Sequence, residues 1–255
     1  MKKFDQEKFN NFVIENNVIG FYEKPITLKS KRSSHWYVNW RRVASDVYLI
    51  DELTDFIIAF TKWIGFHPDC FYGVPEGATK IALITQYKWA IEDPNLQKGK
   101  YVLAMGRGKP KSHGDPKDMY FLGAPKGKTI IIEDVTTTGS SLLNTIKQLK
   151  ELHDVEILAA IGLTNRMEKT PIPYKDDKEI LNEFKELYQS LTNKEYREAM
   201  SVKDLLEDIG IRYYSMSNAL ELLPNVVQKL QPEITIVNAL EKYFEEYGVQ
   251  ELKLK

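Results

Sequence analysis

The sequence has few of the features that mark secreted and membrane-spanning proteins. Among its 255 residues the single cysteine is Cys70, so no internal disulfide can form. No apolar run approaches the roughly 20 residues that a membrane helix needs. The start MKKFDQEKFNNF also lacks the long apolar stretch of a secretory signal. These absences predict a cytoplasmic protein with no membrane partner.

An excess of charge of one sign is missing as well. The chain has 35 basic and 36 acidic residues and a net charge of -1, so no global field draws it towards nucleic acid. No helix-turn-helix or basic face is recognisable, and His35, His67 and His153 have no metal-ligand spacing around them. We expect no nucleic-acid partner and no protein-built metal site, so any anion must be held locally.

Short apolar strands alternate with amphipathic helices along most of the chain. Apolar strands are predicted at 70–74, 101–105, 129–135, 155–164 and 211–216. Helices are predicted near the N terminus up to the Pro25 region, at 51–64, at 80–90, after Gly139 and at the C terminus. A hairpin or edge strands are predicted within 26–43, and the charged, helix-prone segment 172–200 reads as an inserted hairpin or a solvated excursion. The alternation predicts an α/β fold whose parallel sheet is covered on both faces and binds ligands at the carboxyl ends of its strands.

The stretch TIIIEDVTTTGSS places two acids and a hydroxyl-rich loop between a buried strand and a helix. Glu133 and Asp134 end the apolar run. Hydroxyl side chains and a glycine follow them at Thr137, Thr138, Gly139, Ser140 and Ser141. A helix N-terminus offers unpaired N–H groups and partial positive charge, and glycine lets a backbone approach an anion closely. The stretch predicts a phosphate cradle with two carboxylates placed for the hydroxyls of a phosphorylated sugar.

This stretch has two other interpretations, a nucleoside triphosphate site and a simple helix cap. The loop lacks the Gly-Lys-Ser/Thr of a Walker A motif, which argues against a nucleoside triphosphate site. One hydroxyl could merely cap the helix while the acids lie in solvent. A cap needs one hydroxyl, whereas five Ser and Thr residues surround Gly139 here.

The segment IIIEDVTTTGSS resembles the phosphoribosyl pyrophosphate (PRPP) signature of type I phosphoribosyltransferases. The resemblance implies that the acids contact the ribose hydroxyls and that the loop holds the 5-phosphate, with Glu133 in place of the family's first aspartate. It also implies a central parallel sheet flanked by helices, under a small hood built from N-terminal and later segments. We interpret 1–255 as one such domain, with a hood segment at about 1–45 and a helical insert at about 170–200.

Two further stretches resemble orotate phosphoribosyltransferase. In TLKSKRSSHWYVNWR, Lys29 occupies the position of a lysine that reaches the substrates, and Lys31 stands where the family prefers glycine. In GLTNRMEK, Arg166 matches an arginine that meets orotate, and Asn165 replaces the usual preceding acid. A guanidinium suits the planar acceptors of a pyrimidine carboxylate. The alternatives are a solvated basic hairpin and a surface arginine at a strand end.

The polar loop GRGKPKSHGD resembles the basic loop that the orotate enzymes close over their site. The resemblance implies that Arg107, Lys111 and His113 assist the departure of pyrophosphate. Gly108 stands where a second basic residue is usual, and Lys109 follows it by one position. Cations that meet the charge of a leaving group lower the barrier, and closure excludes water. His113 could instead be an ordinary exposed histidine.

The segment GVPEGATKIA stands where the family binds pyrophosphate through backbone amides. The resemblance implies that Gly77 and Ala78 donate those amides.

The activity implied is transfer of the phosphoribosyl group from PRPP to orotate, which yields orotidine 5'-monophosphate and pyrophosphate in pyrimidine nucleotide (UMP) biosynthesis. Mg2+ held mainly by substrate oxygens and water is implied as the cofactor, and a homodimer is implied by the family. Two alternatives stay open: a phosphoribosyltransferase for another base, and a regulator that binds PRPP or a nucleotide without turnover.

Overall fold

A computed structural model describes residues 3–108 and 119–254. Our predictions for Lys109, Lys111 and His113 lie outside the described residues and stay predictions. Within those residues, no helix combines the length and the apolar character needed to cross a membrane.

Strands and helices follow one another in chain order. The strands are β1 (Ile19–Thr27), β2 (Ser33–Val38), β3 (Cys70–Gly73), β4 (Met105–Gly106), β5 (Phe121–Leu122), β6 (Gly127–Thr136), β7 (Val155–Asn165) and β8 (Arg212–Ser215). The helices are α1 (Gln6–Glu15), α2 (Val47–Trp63), α3 (Thr79–Ile91), α4 (Ser140–Lys150), α5 (Lys178–Thr192), α6 (Val202–Asp208), α7 (Ala219–Leu230) and α8 (Ile234–Tyr247).

The central sheet has four parallel strands in the order β3-β6-β7-β8. Its apolar residues alternate between two cores: Ile130 and Ile132 of β6 lie in one, and Ile131 lies in the other. Helices α1, α2, α3, α7 and α8 contribute to the first core and α4, α5 and α6 to the second. The predicted α/β fold, with a central parallel sheet flanked by helices, is confirmed.

The N-terminal hairpin starts earlier than its sequence pattern indicates. Helix α1 ends at Glu15, and Asn17 takes a left-handed conformation with φ of 51°. Pro25 therefore lies inside β1 rather than at the end of a helix, in a stretch where the pairing of β1 with β2 shifts between Phe21 and Ile26. A two-stranded ribbon tolerates proline where the ladder is interrupted.

The apolar run 101–105 is not a strand of the central sheet, contrary to the prediction. Only Met105 and Gly106 pair, and they pair antiparallel with β5. Leu103 is 56% exposed, so the run is not buried on two sides as a parallel strand would be.

The 172–200 segment is packed rather than solvated. Helix α5 buries Leu181, Phe184 and Tyr188 in the second core. Helices α6 and α7 were not predicted, although Ser201 and Asn218 cap them by accepting from the amides of Asp204 and Glu221.

Candidate functional site

The loop between β6 and α4 presents a row of open backbone donors. Gly139 is the N-cap residue of α4, and no side chain caps the helix there. The first helical hydrogen bond runs from the Leu143 amide to the Gly139 carbonyl, at 3.0 Å. Among the described residues, the amides of Thr138 to Ser141 find no acceptor. Open amides at a helix N-terminus are the requirement for a phosphate site.

Gly139 is required by conformation and by space. Its φ of 83° lies in the left-handed region. A Cβ at this position would also lie 2.8 Å from Cδ2 of Leu205 on α6. Helix α6 therefore supports the loop from behind, and the tight approach leaves the amides facing the pocket.

The two acids at the end of β6 occupy different environments. Glu133 is 4% exposed and accepts a hydrogen bond from the Thr136 hydroxyl at 2.8 Å. Asp134 is half-buried, and no side chain in the described ranges donates to its carboxylate. It lies against Gly77, where a Cβ would be 2.6 Å from the Asp134 Cγ. Asp134 is therefore the acid better placed to accept from a ligand.

Burial governs the ionisation of both acids. It raises the pKa of the Glu133 carboxyl to about 8, with the Asp134 charge acting in the same direction, although the Thr136 hydroxyl and Lys29 oppose it. Burial also raises the pKa of Asp134, against backbone hydrogen bonds and the charge of Arg41. Near neutral pH the Glu133 carboxyl holds a proton and can donate one hydrogen bond as well as accept.

The loop after β3 closes a second side of the site. The Val74 amide donates to the Ile132 carbonyl at 2.8 Å, which prolongs the pairing of β3 with β6. Gly77 lines the pocket, and no acceptor for its amide is found in the described part of the chain. The Ala78 amide donates to the Val74 carbonyl at 3.2 Å and Ala78 is fully buried. An amide contact from Ala78 to a ligand would require that bond to break.

Lys29 reaches the cradle from the N-terminal hairpin. Its Nζ donates to the Ser141 Oγ at 3.0 Å. Lys31, at the position where the resemblance expects glycine, adopts the left-handed conformation that glycine favours, with φ of 61°. Lys31 thus takes the conformation that this turn requires, and the turn brings the ammonium group of Lys29 beside the open amides.

Arg166 lines the pocket but is 1% exposed. Its Nε donates to Glu168 at 2.6 Å, Nη1 to the Trp36 carbonyl at 3.3 Å and Nη2 to Ser34 Oγ at 3.1 Å. Its guanidinium also lies 3.7 Å from the centre of the Trp36 ring. Three of its five N–H donors are therefore engaged within the protein. Asn165 accepts from the Met167 amide at 2.8 Å and so holds the turn after β7.

Arg107 and Gly108 lie at the edge of the described residues. The Arg107 amide donates to the Tyr120 carbonyl at 2.8 Å. A Cβ on Gly108 would meet the carboxylate of the exposed Glu76, a flexible side chain that can move aside. The structure does not bring the Arg107 side chain into the lining of the pocket.

These elements enclose a pocket of about 340 Å³. Sequence reasoning missed part of its wall: Tyr37 in β2, Asn39 and Arg41 after it, Asn144 on α4, and Ile180, Glu183, Phe184 and Leu187 on α5. The amphipathic spacing of the α5 residues was a signal for burial, but not for burial against this pocket. Among the described residues there is no group of three or more His, Cys, Asp or Glu side chains that could hold a metal.

No protein-family model matches the chain. The chain is similar to a curated protein from Clostridium acetobutylicum named orotate phosphoribosyltransferase, with 25% identity over 251 residues, 98% of this chain and all of the relative. A protein of the same name from Aquifex aeolicus is 27% identical over 171 residues, which cover 66% of this chain and 87% of the relative. These relationships support a protein of the phosphoribosyltransferase type.

Solved structures share the fold. The orotate phosphoribosyltransferase of Francisella tularensis matches 94% of this chain and 99% of its own, with a TM-score of 0.60 and 18% identity. The UMP synthase of Leishmania donovani matches 94% of this chain and 42% of its own, with a TM-score of 0.62 and 16% identity.

Proposed function

We propose that this protein transfers the 5-phosphoribosyl group from PRPP to N1 of orotate, forming orotidine 5'-monophosphate and pyrophosphate in cytoplasmic pyrimidine biosynthesis. The observation that carries the proposal is the juxtaposition of four open amides, Thr138 to Ser141, with the carboxylate of Asp134. The 5-phosphate of a phosphorylated pentose matches the open amides, and the vicinal hydroxyls of the same sugar match the carboxylate.

The cradle holds the 5-phosphate. Its amides and the hydroxyls of Thr137, Thr138, Ser140 and Ser141 donate to the phosphate oxygens, and Lys29 adds positive charge beside Ser141. Asp134 accepts hydrogen bonds from the ribose hydroxyls. Glu133 assists in holding the ribose, because its protonated carboxyl can donate a hydrogen bond and its bond from the Thr136 hydroxyl fixes its position.

In the reaction the C1–O bond to pyrophosphate breaks and the bond from C1 to N1 of orotate forms. The electron pair of the broken bond leaves with pyrophosphate, while the N1 proton passes to solvent or a nearby base. Positive charge builds on the sugar and negative charge on the leaving group. The amide of Gly77 donates to the leaving group, as does that of Ala78 once its internal bond opens. From the resemblance alone, we propose that four further side chains assist the departure of pyrophosphate: Arg107, Lys109, Lys111 and His113.

The residues present fit a magnesium ion held mainly by substrate. Mg2+ keeps several waters and takes one or two protein carboxylates. Asp134, with no side-chain donor in the described ranges, offers one such oxygen ligand. When bound, the ion neutralises charge on pyrophosphate.

Arg166 is proposed to meet the carboxylate of orotate with the two N–H donors left over from its internal bonds. A homodimer is proposed from the resemblance.

One observation favours a second candidate, transfer to another base. Because Arg166 is already paired with Glu168, its guanidinium is partly neutralised before any substrate binds. A base without a carboxylate would not need the remaining donors.

The test is to mix the purified protein with PRPP, Mg2+ and orotate and follow the loss of orotate absorbance, with uracil and purines in parallel. We expect consumption of orotate that depends on PRPP. Turnover of another base alone would replace the acceptor in the proposal. Binding of PRPP without consumption of any base would identify a regulator and overturn the enzymatic proposal.

A further inference from the structure

Arg32 ties the N-terminal hairpin to the segment that leads into α5. Its Nε and Nη2 donate to Asp176 at 3.0 and 2.6 Å, and its Nη1 donates to Glu168 at 2.9 Å. The carbonyls of Lys169 and Thr170 accept two further bonds, at 3.0 and 3.2 Å. All five donors of this buried guanidinium thus point at one segment.

Asp176 accepts hydrogen bonds both from Arg32 on the hairpin and from the backbone of its own segment. Its side chain is 4% exposed, and its Oδ2 also accepts from the Ile172 amide at 2.7 Å. The residue lies in the 170–200 segment, to which the phosphoribosyltransferase resemblance gives no role. Its carboxylate cannot relax into solvent, so it fixes the position of Arg32.

Arg32 closes the turn that carries Lys29. The Leu28 amide donates to the Arg32 carbonyl at 2.9 Å, and the Lys31 amide donates to the Leu28 carbonyl at 2.9 Å. Lys29 lies within this closed turn and reaches Ser141 from it. A displacement of Arg32 therefore displaces the backbone from which Lys29 extends.

Lys31 adds an exposed second connection. Its Nζ lies 3.5 Å from Asp177, the N-cap residue of α5, and 3.1 Å from Glu179 in the first turn of that helix. A left-handed conformation strains a lysine, whereas glycine adopts it freely. Water and salt screen exposed ion pairs, so this connection is weak and the buried one decides the geometry.

We infer that Asp176 is a positioning residue that holds Lys29 over the phosphate cradle through Arg32. Asp176 touches no substrate in this account. The inference rests on the proposed function, because Lys29 is assigned there to the 5-phosphate. It gives the segment before α5 a role in substrate affinity as well as in packing.

A double-mutant cycle separates positioning from general stability. Ribose 5-phosphate affinity is measured by calorimetry for the parent, Asp176→Asn, Lys29→Met and the double variant. With Lys29 present, we expect Asp176→Asn to weaken binding about tenfold, the size of one charge-assisted hydrogen bond. With Lys29→Met in place, we expect less than about twofold. In steady-state kinetics, Asp176→Asn should raise the KM for PRPP and leave the KM for orotate unchanged.

Asp177→Asn is the matched control: on the hairpin this neighbouring carboxylate meets the exposed Lys31, and its capping of the Glu179 and Ile180 amides is a role that asparagine keeps. We expect parental affinity from it. Removing a partner from a buried ion pair can unfold a protein, so thermal unfolding is recorded for each variant. If Asp176→Asn does not fold, the same cycle is run with Asp176→Glu, which keeps the charge and shifts its position.

The outcomes are distinct. An equal loss of affinity in both Lys29 backgrounds, or no loss in either, would overturn the positioning role while leaving the proposed function intact. Failure of the parent protein to bind either ribose 5-phosphate or PRPP would overturn the proposed function and the inference together.

Discussion

The phosphate cradle and the buried arginine network differ in how much of their bonding capacity the protein uses itself. At Thr138 to Ser141 the backbone donors find no acceptor in the described ranges. In the network Arg32 and Arg166 meet Glu168 and Asp176, with every side chain at most 4% exposed. Two positive and two negative groups balance there. Open donors indicate a place for a ligand, whereas satisfied ones indicate a scaffold.

The largest expected effect separates the two regions by function. Asp134→Asn should lower kcat about a thousandfold, as loss of a positioned electrostatic group does. The free energy of unfolding should not fall, because burial disfavours the charged form of this carboxyl in the parent. Turnover assays and urea unfolding measure the two quantities. Asp154→Asn, an exposed acid before β7, serves as the control, and a parental kcat in Asp134→Asn would remove that residue from the site.

Breaking the arginine network should lower stability, in addition to the loss of the orotate contact proposed for Arg166. Arg166→Met should lower the free energy of unfolding by about 3 kcal/mol, because it leaves the buried Glu168 short of a partner. The exposed Arg212, which lies 4.4 Å from the centre of the Phe66 ring, provides a control. Arg212→Met should cost less than about 1 kcal/mol. Equal losses from both variants in urea unfolding would show that the network is not the scaffold we describe.

Glu133 has a property of each region, because it is buried like the arginine network and lies in the pocket like the cradle. Its pKa of about 8 in the folded chain exceeds its ordinary value near 4.3, so the native state holds a proton that the unfolded chain releases. This stability is complete below the lower value and is lost as the pH rises towards the higher one. Between about pH 5 and pH 7, Glu133→Gln should remove about 2 kcal/mol of that pH dependence. Urea unfolding across this range checks it, and identical slopes in variant and parent would exclude the buried, protonated state.

The smallest of these effects concerns the bridge between the regions. Lys29→Met should raise the KM for PRPP about tenfold through loss of one cationic contact, and leave the free energy of unfolding unchanged because Lys29 is exposed. Lys24→Met, an exposed lysine on the same hairpin, is the matched control. A larger KM effect from Lys24→Met than from Lys29→Met would contradict the placement of Lys29 at the cradle.

The same contrast explains what the sequence could predict. The cradle is made by contiguous residues at a strand-to-helix junction, so its hydroxyls, Gly139 and Asp134 could be named from their order along the chain. The partners of Arg32 at Glu168 and Asp176 are 136 and 144 residues away, and Ser34 is 132 residues from Arg166. No local pattern encodes such pairings.

Burial was the other quantity that local patterns misjudged. The run 101–105 is apolar enough for a strand, yet Leu103 is exposed and the central sheet does not include it. The charged composition of 172–200 obscures the apolar side of α5, which faces the pocket and the second core. In both cases tertiary packing decided the outcome and composition did not.

The most direct test of the open cradle is an amide NMR titration of the protein with ribose 5-phosphate. We expect the backbone amide resonances of Thr138, Gly139, Ser140 and Ser141 to shift together and to saturate at one ligand per chain. Resonances of these four amides that stay unmoved at saturating ligand would contradict it.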